Sequence, residues 1–166
     1  MPRGRVAALA ALGVILGIGA WYYLTPTDPT TVIRQRLNTL ADEINKSTRD
    51  GRGPEARAVE LSSYLTDDVE LDFGPGAPPI QGRATVIGMA GRLQPRTAAF
   101  TLRFQDMNVA LAPDGQTADV HLTAEFIRRS MTTGEESLDA REFTVVMRQV
   151  GGDWKIAKVV AIQTLK

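Results

Sequence analysis

Ala118-Asp119-Val120-His121-Leu122-Thr123-Ala124-Glu125-Phe126 is the stretch that decides the fold. Apolar and polar residues alternate throughout it. In an extended strand Ala118, Val120, Leu122, Ala124 and Phe126 share one face, and Asp119, His121, Thr123 and Glu125 share the other. A strand with one dry and one wet face belongs to an antiparallel sheet covered on one side only. The flanking segments repeat the pattern, with Phe100, Leu102 and Phe104 alternating with Thr101, Arg103 and Gln105. Between the two, Pro113-Asp114-Gly115 supplies a hairpin turn. Thr133-Gly134 separates the next pair, and Gly151-Gly152-Asp153 joins Phe143–Val150 to Trp154–Gln163. Four strands pairing in sequence make an antiparallel meander.

Upstream of the meander the period changes from strand to helix. Asp28 followed by Pro29 reads as an N-cap with proline in the first turn, where its missing N–H costs nothing. Ile33, Leu37, Leu40 and Ile44 then recur at helical spacing up to the break at Asp50-Gly51. Pro54 opens a second helix, with Ala58, Leu61 and Leu65 on one side, that stops near Thr66. Val69–Phe73 is expected as a short strand with Val69, Leu71 and Phe73 inward. Gly74–Pro79 follows as a loop, because proline removes ladder donors. Ile80–Leu93 then reads as a short helix through Ala84, Ile87 and Met89. About three helices packed on one face of an antiparallel sheet define an α+β domain.

Ahead of this domain stands an uncharged apolar run, Val6–Leu24, closed by Trp21, Tyr22 and Tyr23. About 20 apolar residues at ~1.5 Å rise cross a ~30 Å hydrocarbon core, and aromatic rings favour its boundary. The rival reading is a cleaved signal peptide. The run exceeds the usual ~7 to 15 residue signal core, and the aromatic cluster occupies the place where small residues suit cleavage. The expected organisation is therefore a cytoplasmic N-terminus at 1–5, a transmembrane helix at 6–24, a linker at 25–31 and an external domain at 32–166. Arg3 and Arg5, the charges before the span, hold that end in the cytoplasm. The domain is thus expected in the periplasm or on another extracytoplasmic face of the inner membrane. Gly13 and Gly17, four apart, allow another helix to approach closely, although a simple anchor is the stronger reading, since Gly and Ala are common in membrane helices.

The chain has 19 basic and 19 acidic residues and no cysteine. Setting Arg3 and Arg5 aside leaves the external part near −2. No basic stripe with interleaved aromatics appears, which excludes nucleic acid as an expected partner. No zinc spacing, phosphate-cradling loop, calcium loop or nucleophile elbow is present, so neither metal nor cofactor is expected.

The first helix, the run Tyr64-Leu65-Thr66-Asp67-Asp68-Val69-Glu70-Leu71, and Ile80-Gln81-Gly82-Arg83 leading into a short helix resemble the nuclear transport factor 2-like superfamily, which includes ketosteroid isomerases. Gly152-Asp153-Trp154-Lys155-Ile156 fits the start of that family's last strand. The resemblance covers about Asp28–Leu165 and implies a cone of strongly curved sheet and three helices with a pocket at its open end. It implies no single activity, since members range from isomerases, dehydratases and hydrolases to protein-binding adaptors. Matching Asp67-Asp68 to the isomerases' double-Asp turn puts Phe73, which takes no proton, at the general-base position. Asp72 falls one residue earlier, on the opposite face.

Candidate chemistry is thin. Asp119, His121 and Glu125 line one side of a strand as an acid/base patch or weak metal site, or simply as the solvent face. Tyr64, Asp68, Glu70 and Asp72 form an acidic group near the rim that also serves as turn and outer-face residues. Arg83 after Gly82 stands where an anion or an acidic neighbour would meet it. Arg128-Arg129 with Arg103, and Arg141 with Arg148, make basic stripes or parts of a mixed-charge face. Asp72, His121 and Tyr64 are the catalytic candidates, and Phe73, Met89, Phe100 and Phe104 the expected pocket walls.

The expected function is a non-catalytic, membrane-anchored accessory or assembly subunit that contacts other membrane proteins. The alternative is a binding domain for an apolar small ligand or lipid, or a dehydratase-like, isomerase-like or hydrolase-like enzyme.

Overall fold

The computed structural model describes residues 28–49, 54–92, 98–130 and 132–162. The expected span at residues 6–24, with Gly13, Gly17, Trp21, Tyr22 and Tyr23, lies outside these. Among the described residues no helix is long and apolar enough to cross a membrane.

Asp28 caps the first helix. Its side chain accepts from the Thr30 N–H at 3.1 Å and its carbonyl accepts from Thr31 and Val32, meeting donors that the first turn leaves orphaned. Helix α1 (Pro29–Arg49) buries Ile33, Leu37, Leu40 and Ala41. Helix α2 (Pro54–Ser62) stops earlier than the spacing predicts. Leu65 and Thr66 leave the helical period to be buried in strand β1 (Leu65–Asp72). The remaining elements are β2 (Ile80–Gln81), α3 (Arg83–Arg92), β3 (Ala98–Leu111), β4 (Thr117–Ser130), β5 (Glu136–Val150) and β6 (Asp153–Ala161).

The six strands form one sheet in the order β2-β1-β6-β5-β4-β3. Strands β3 to β6 pair sequentially and antiparallel, as the alternation requires. Strand β1 departs from the expectation of an antiparallel sheet, because it lies parallel to β6, with Leu71 opposite Val159 and Asp72 opposite Val160. The apolar β6 is therefore covered on both edges, as its buried Trp154, Ile156 and Ala157 require. Ile80 and Gln81, expected to begin a helix, instead pair with Leu71 and Glu70. The helix starts only after Gly82, whose φ of 86° turns the chain and whose N–H donates to the Val69 carbonyl at 2.8 Å.

Besides an irregularity between Leu65 and Glu70 in the β1–β6 pairing, two bulges coil the antiparallel part of the sheet. Between Gln105 and Asn108 the β3 register slips by one residue, with Asp106 left-handed at φ 52°. The core face thus passes from Phe100, Leu102 and Phe104 to Met107 and Val109. On β6, Ile156 faces Met147 and Lys158 faces Val146, so Ala157 is the extra residue.

Helix α1 runs antiparallel to the edge strand β3. Arg34 Nε donates to the Met107 carbonyl at 3.4 Å near one end. Near the other, the Asn45 amide donates to the Leu102 carbonyl at 2.8 Å and accepts from the Leu102 N–H at 2.7 Å. The N-terminus of α1 is thus at the end of the sheet that carries the Asp114-Gly115 and Gly151-Gly152 turns.

Candidate functional site at the open end of the cone

The core face is sealed at the turn end and open at the other. Ile33, Val69 and Val120 are 0 % exposed and Met147 1 %, with Trp154 beside them. Toward the opposite end Phe100, Phe126 and Phe143 still pack on the core but are only partly buried, as are Leu71 and Val159, in line with Val145 and Val120, and Val86 and Ile87 of α3. The Phe100 and Phe126 rings lie 5.9 Å apart at an interplanar angle of 33°, a tilted aromatic contact. The uninterrupted β4–β5 register places Arg128, Asp139 and Arg141 on this same core face, beyond the apolar residues. Arg141 Nε donates to Asp139 Oδ2 at 3.3 Å, with the two side chains 65 % and 46 % exposed. The result is an apolar throat with a charged rim.

The sequence candidates scatter around this throat. Phe100 lines it. Phe104 lies one step deeper, beside a separate polar groove of about 490 Å³ between α1 and β3, lined by Asn38, Asp42, Asn45, Arg49 and Thr101–Gln105. Phe73 falls just past β1 and is 49 % exposed rather than walled in, because β1 ends at Asp72. Met89 is half-buried on α3, whose contacts with the core come through Val86 and Ile87. Asp72 pairs with Val160 on the outer face, and its Oδ1 accepts from the Gly74 N–H at 2.8 Å, which holds the turn.

Tyr64 is 7 % exposed at the sealed end, under Arg36, whose guanidinium carbon is 4.2 Å from the ring centroid. Burial raises the Tyr64 phenol above its ordinary pKa, opposed by the Arg36 charge. Arg36 also donates to the Ser63 carbonyl at 3.0 Å, so this pair ties α1 to the start of β1.

His121 lies on the outer face between Asn108 and Thr144, its Nδ1 3.2 Å from the Thr144 hydroxyl. Asp119 and Glu125 share that face. Among the described residues no three His, Cys, Asp or Glu side chains come together as a metal site. Arg83 pairs with Asp67 at 2.6 Å, Arg148 with Asp68 at 3.2 Å and Lys158 with Glu70 at 2.8 Å. Lys158, and then Gln81, hold the Glu70 carboxyl below its ordinary pKa. Arg141 and Arg148 lie on opposite faces of β5 and form no common stripe.

Phe126, Phe143 and Asp139 are throat residues that the sequence candidates lack, and Arg128 and Arg141 stand among those candidates only as parts of basic stripes. Extending the alternation two residues past Phe126 already carries Arg128 onto the core face.

A model of the SnoaL-like domain matches residues 55–160. No curated protein matches the chain. Among solved structures, a proposed scytalone dehydratase from Novosphingobium aromaticivorans superposes with a TM-score of 0.66 at 12% identity, over 81% of this chain and 83% of that one. A proposed dehydratase of the nuclear transport factor 2-like family from Streptomyces avermitilis gives 0.61 at 20% identity, over 83% and 100%. A ketosteroid isomerase-like protein from Erwinia carotovora gives 0.56 at 19% identity, over 84% and 100%. Likeness at these identities shows the fold alone.

Proposed function

This chain belongs to the SnoaL-like domain family, and on that premise we propose that its cone takes a small amphipathic molecule. The apolar body rests on Phe100, Phe126 and Phe143, and a polar or anionic end meets Arg128 and Arg141. The observation that carries this reading is the half-buried aromatic throat, since a domain with no occupant gains by covering such rings. The rim adds two guanidinium groups against the Asp139 carboxylate, a balance that favours an acidic end.

Dehydration of the bound molecule is the second reading, favoured by the two proposed dehydratases among the similar structures. Asp139 is a carboxylate that the register sets opposite Phe126 on the core face, and it is already engaged by Arg141. Binding therefore comes before turnover in this proposal. The comparisons lend no support to an accessory subunit. Membrane attachment is part of the proposal and rests on the charge-free run Val6–Leu24 behind Arg3 and Arg5.

The test is titration of the full chain with anilinonaphthalene sulfonate, which joins an apolar body to an anion. Saturable binding is expected, lost at least tenfold in Phe126→Asp, weakened several-fold in Arg141→Gln and unchanged in His121→Ala. Equal binding by Phe126→Asp would refute the reading. Release of water from a bound β-hydroxy ketone, abolished in Asp139→Asn, would promote the second.

A further inference from the structure

We propose that this chain pairs with a second copy of itself along the outer stretch of β5, Glu136 to Ala140, so that β3-β4-β5 of one molecule continue into β5-β4-β3 of the other. The pairing is independent of the proposed ligand and of residues 6–24. Strand β6 runs beside β5 only as far as Phe143, which faces Ala161, and β1 stops level with Val160. The Ile162 N–H then donates to the Glu142 carbonyl at 2.9 Å. Past that bond β5 continues through Ala140, Leu138 and Glu136, paired with β4 on one side and with no described strand on the other. Successive residues of an antiparallel ladder aim their N–H and C=O groups to alternate sides. Glu142 addresses β6, so Ala140, Leu138 and Glu136 address the open side. The other long edge, β3, is guarded: α1 meets it at Leu102 and Met107, and a bulge interrupts it between them. The β5 stretch has neither a helix nor a bulge, and its Leu138 is 62 % exposed.

Charge selects both the partner and the register. Open groups meet open groups only in registers that differ by two residues. With Leu138 opposite the partner's Leu138, Glu136 faces the partner's Ala140, and Arg141 faces the partner's Glu135, in both directions. A slip of two residues one way sets Asp139 against Asp139 and Glu136 against Glu142. The same slip the other way sets Glu135 against Asp139. Like charges directly opposite are destabilising, so one register survives. The stretch is thus self-complementary about Leu138, as an isologous twofold contact requires. The two exposed Leu138 side chains meet on the outer face, each beside the Ile127 that it faces across its own ladder.

A seam this short belongs to the weak class of interface, so the test traps it covalently. The chain has no cysteine, and one introduced thiol therefore reports one position. Residues opposite each other in a hydrogen-bonded pair stand about 5.5 Å apart at Cα, within the span of a disulfide. The full chain, in detergent with micelles in large excess, is oxidised as Leu138→Cys and, for comparison, as Ala110→Cys, which is exposed on the outer face of β3. Leu138→Cys is expected to form its disulfide dimer at least tenfold faster. Glu136→Cys and Ala140→Cys are expected to cross-link when mixed and not singly, since like positions then stand about 14 Å apart along the seam. Ala140→Pro removes only an open N–H and leaves the β4 ladder whole. Added to Leu138→Cys, it is expected to lower the rate to that of Ala110→Cys. Equal rates for Leu138→Cys and Ala110→Cys overturn the pairing, and cross-linking of Glu136→Cys alone as fast as of the mixture overturns the register. Cross-linking of Leu138→Cys that appears only after removal of residues 163–166 also overturns the proposal, because the chain's own end is then the occupant of this edge.

Discussion

Replacing Asn45 with alanine tests the join between α1 and the edge of the sheet. The Asn45 amide both donates to and accepts from Leu102, whose residue is 7 % exposed, so two backbone groups of an edge strand depend on one side chain. Two net hydrogen bonds amount to about 1–3 kcal/mol. The polar groove beside them lets water replace the amide in part, which places the expected loss near 2 kcal/mol. Urea unfolding followed by circular dichroism measures the loss, and amide hydrogen exchange at Leu102 locates it. Protection at Leu102 should fall more than at Val120, which sits 0 % exposed in the central strand β4. Asn45→Asp keeps the acceptor and loses the donor, and should be destabilised at least half as much as Asn45→Ala. A loss under about 0.5 kcal/mol in Asn45→Ala, or unchanged exchange at Leu102, would refute the argument.

Leu37→Ala, removing a side chain 2 % exposed, should cost about 3 kcal/mol in the same urea experiment. Gly82→Ala meets nothing nearer than the Thr85 hydroxyl at 3.8 Å, so its expected loss of about 1–2 kcal/mol comes from the φ of 86° alone. Equal loss in Gly88→Ala, where φ is helical, would show that reasoning to be wrong. The Glu70–Lys158 pair sets a pH window: Glu70 is lowered and Lys158 raised, each first by its hydrogen bond to the other. Its contribution is complete between the ordinary Glu and Lys values, is lost as pH falls through the depressed Glu70 value, and is lost again as pH rises through the raised Lys158 value. Asp114, lowered by the Gln116 and Thr117 N–H groups, adds to the acid limb. Melting temperature against pH should show both limbs, and Lys158→Met should shrink the alkaline one.

Much of the fold is legible where one residue type answers to one local requirement. Asp28-Pro29 starts a helix, Asp114-Gly115 turns a hairpin, and alternation along Ala118–Phe126 places His121 outside. The parallel β1–β6 pairing is not legible, because it joins segments distant in sequence and leaves no turn between them. The β3 bulge left a trace that is easily missed: apolar residues occupy even positions through Phe104 and odd ones from Met107, with Asp106 at the switch. The same change of parity follows Ile156 in β6. Alternation alone extends β1 one residue too far and turns Phe73 inward, and it does not single out Phe126 and Phe143, because both read equally well as ordinary core.

The parallel seam between β1 and β6 also governs when the domain closes. Leu65 and Ile156 stand about ninety residues apart, so this contact carries a high loop-closure cost and forms late. During synthesis β1 waits, with only the two-residue β2 as a sheet neighbour, until the last strand emerges. The exposed flank of β1 in that interval carries Asp67, Asp68 and Glu70, charges that discourage pairing with another nascent chain.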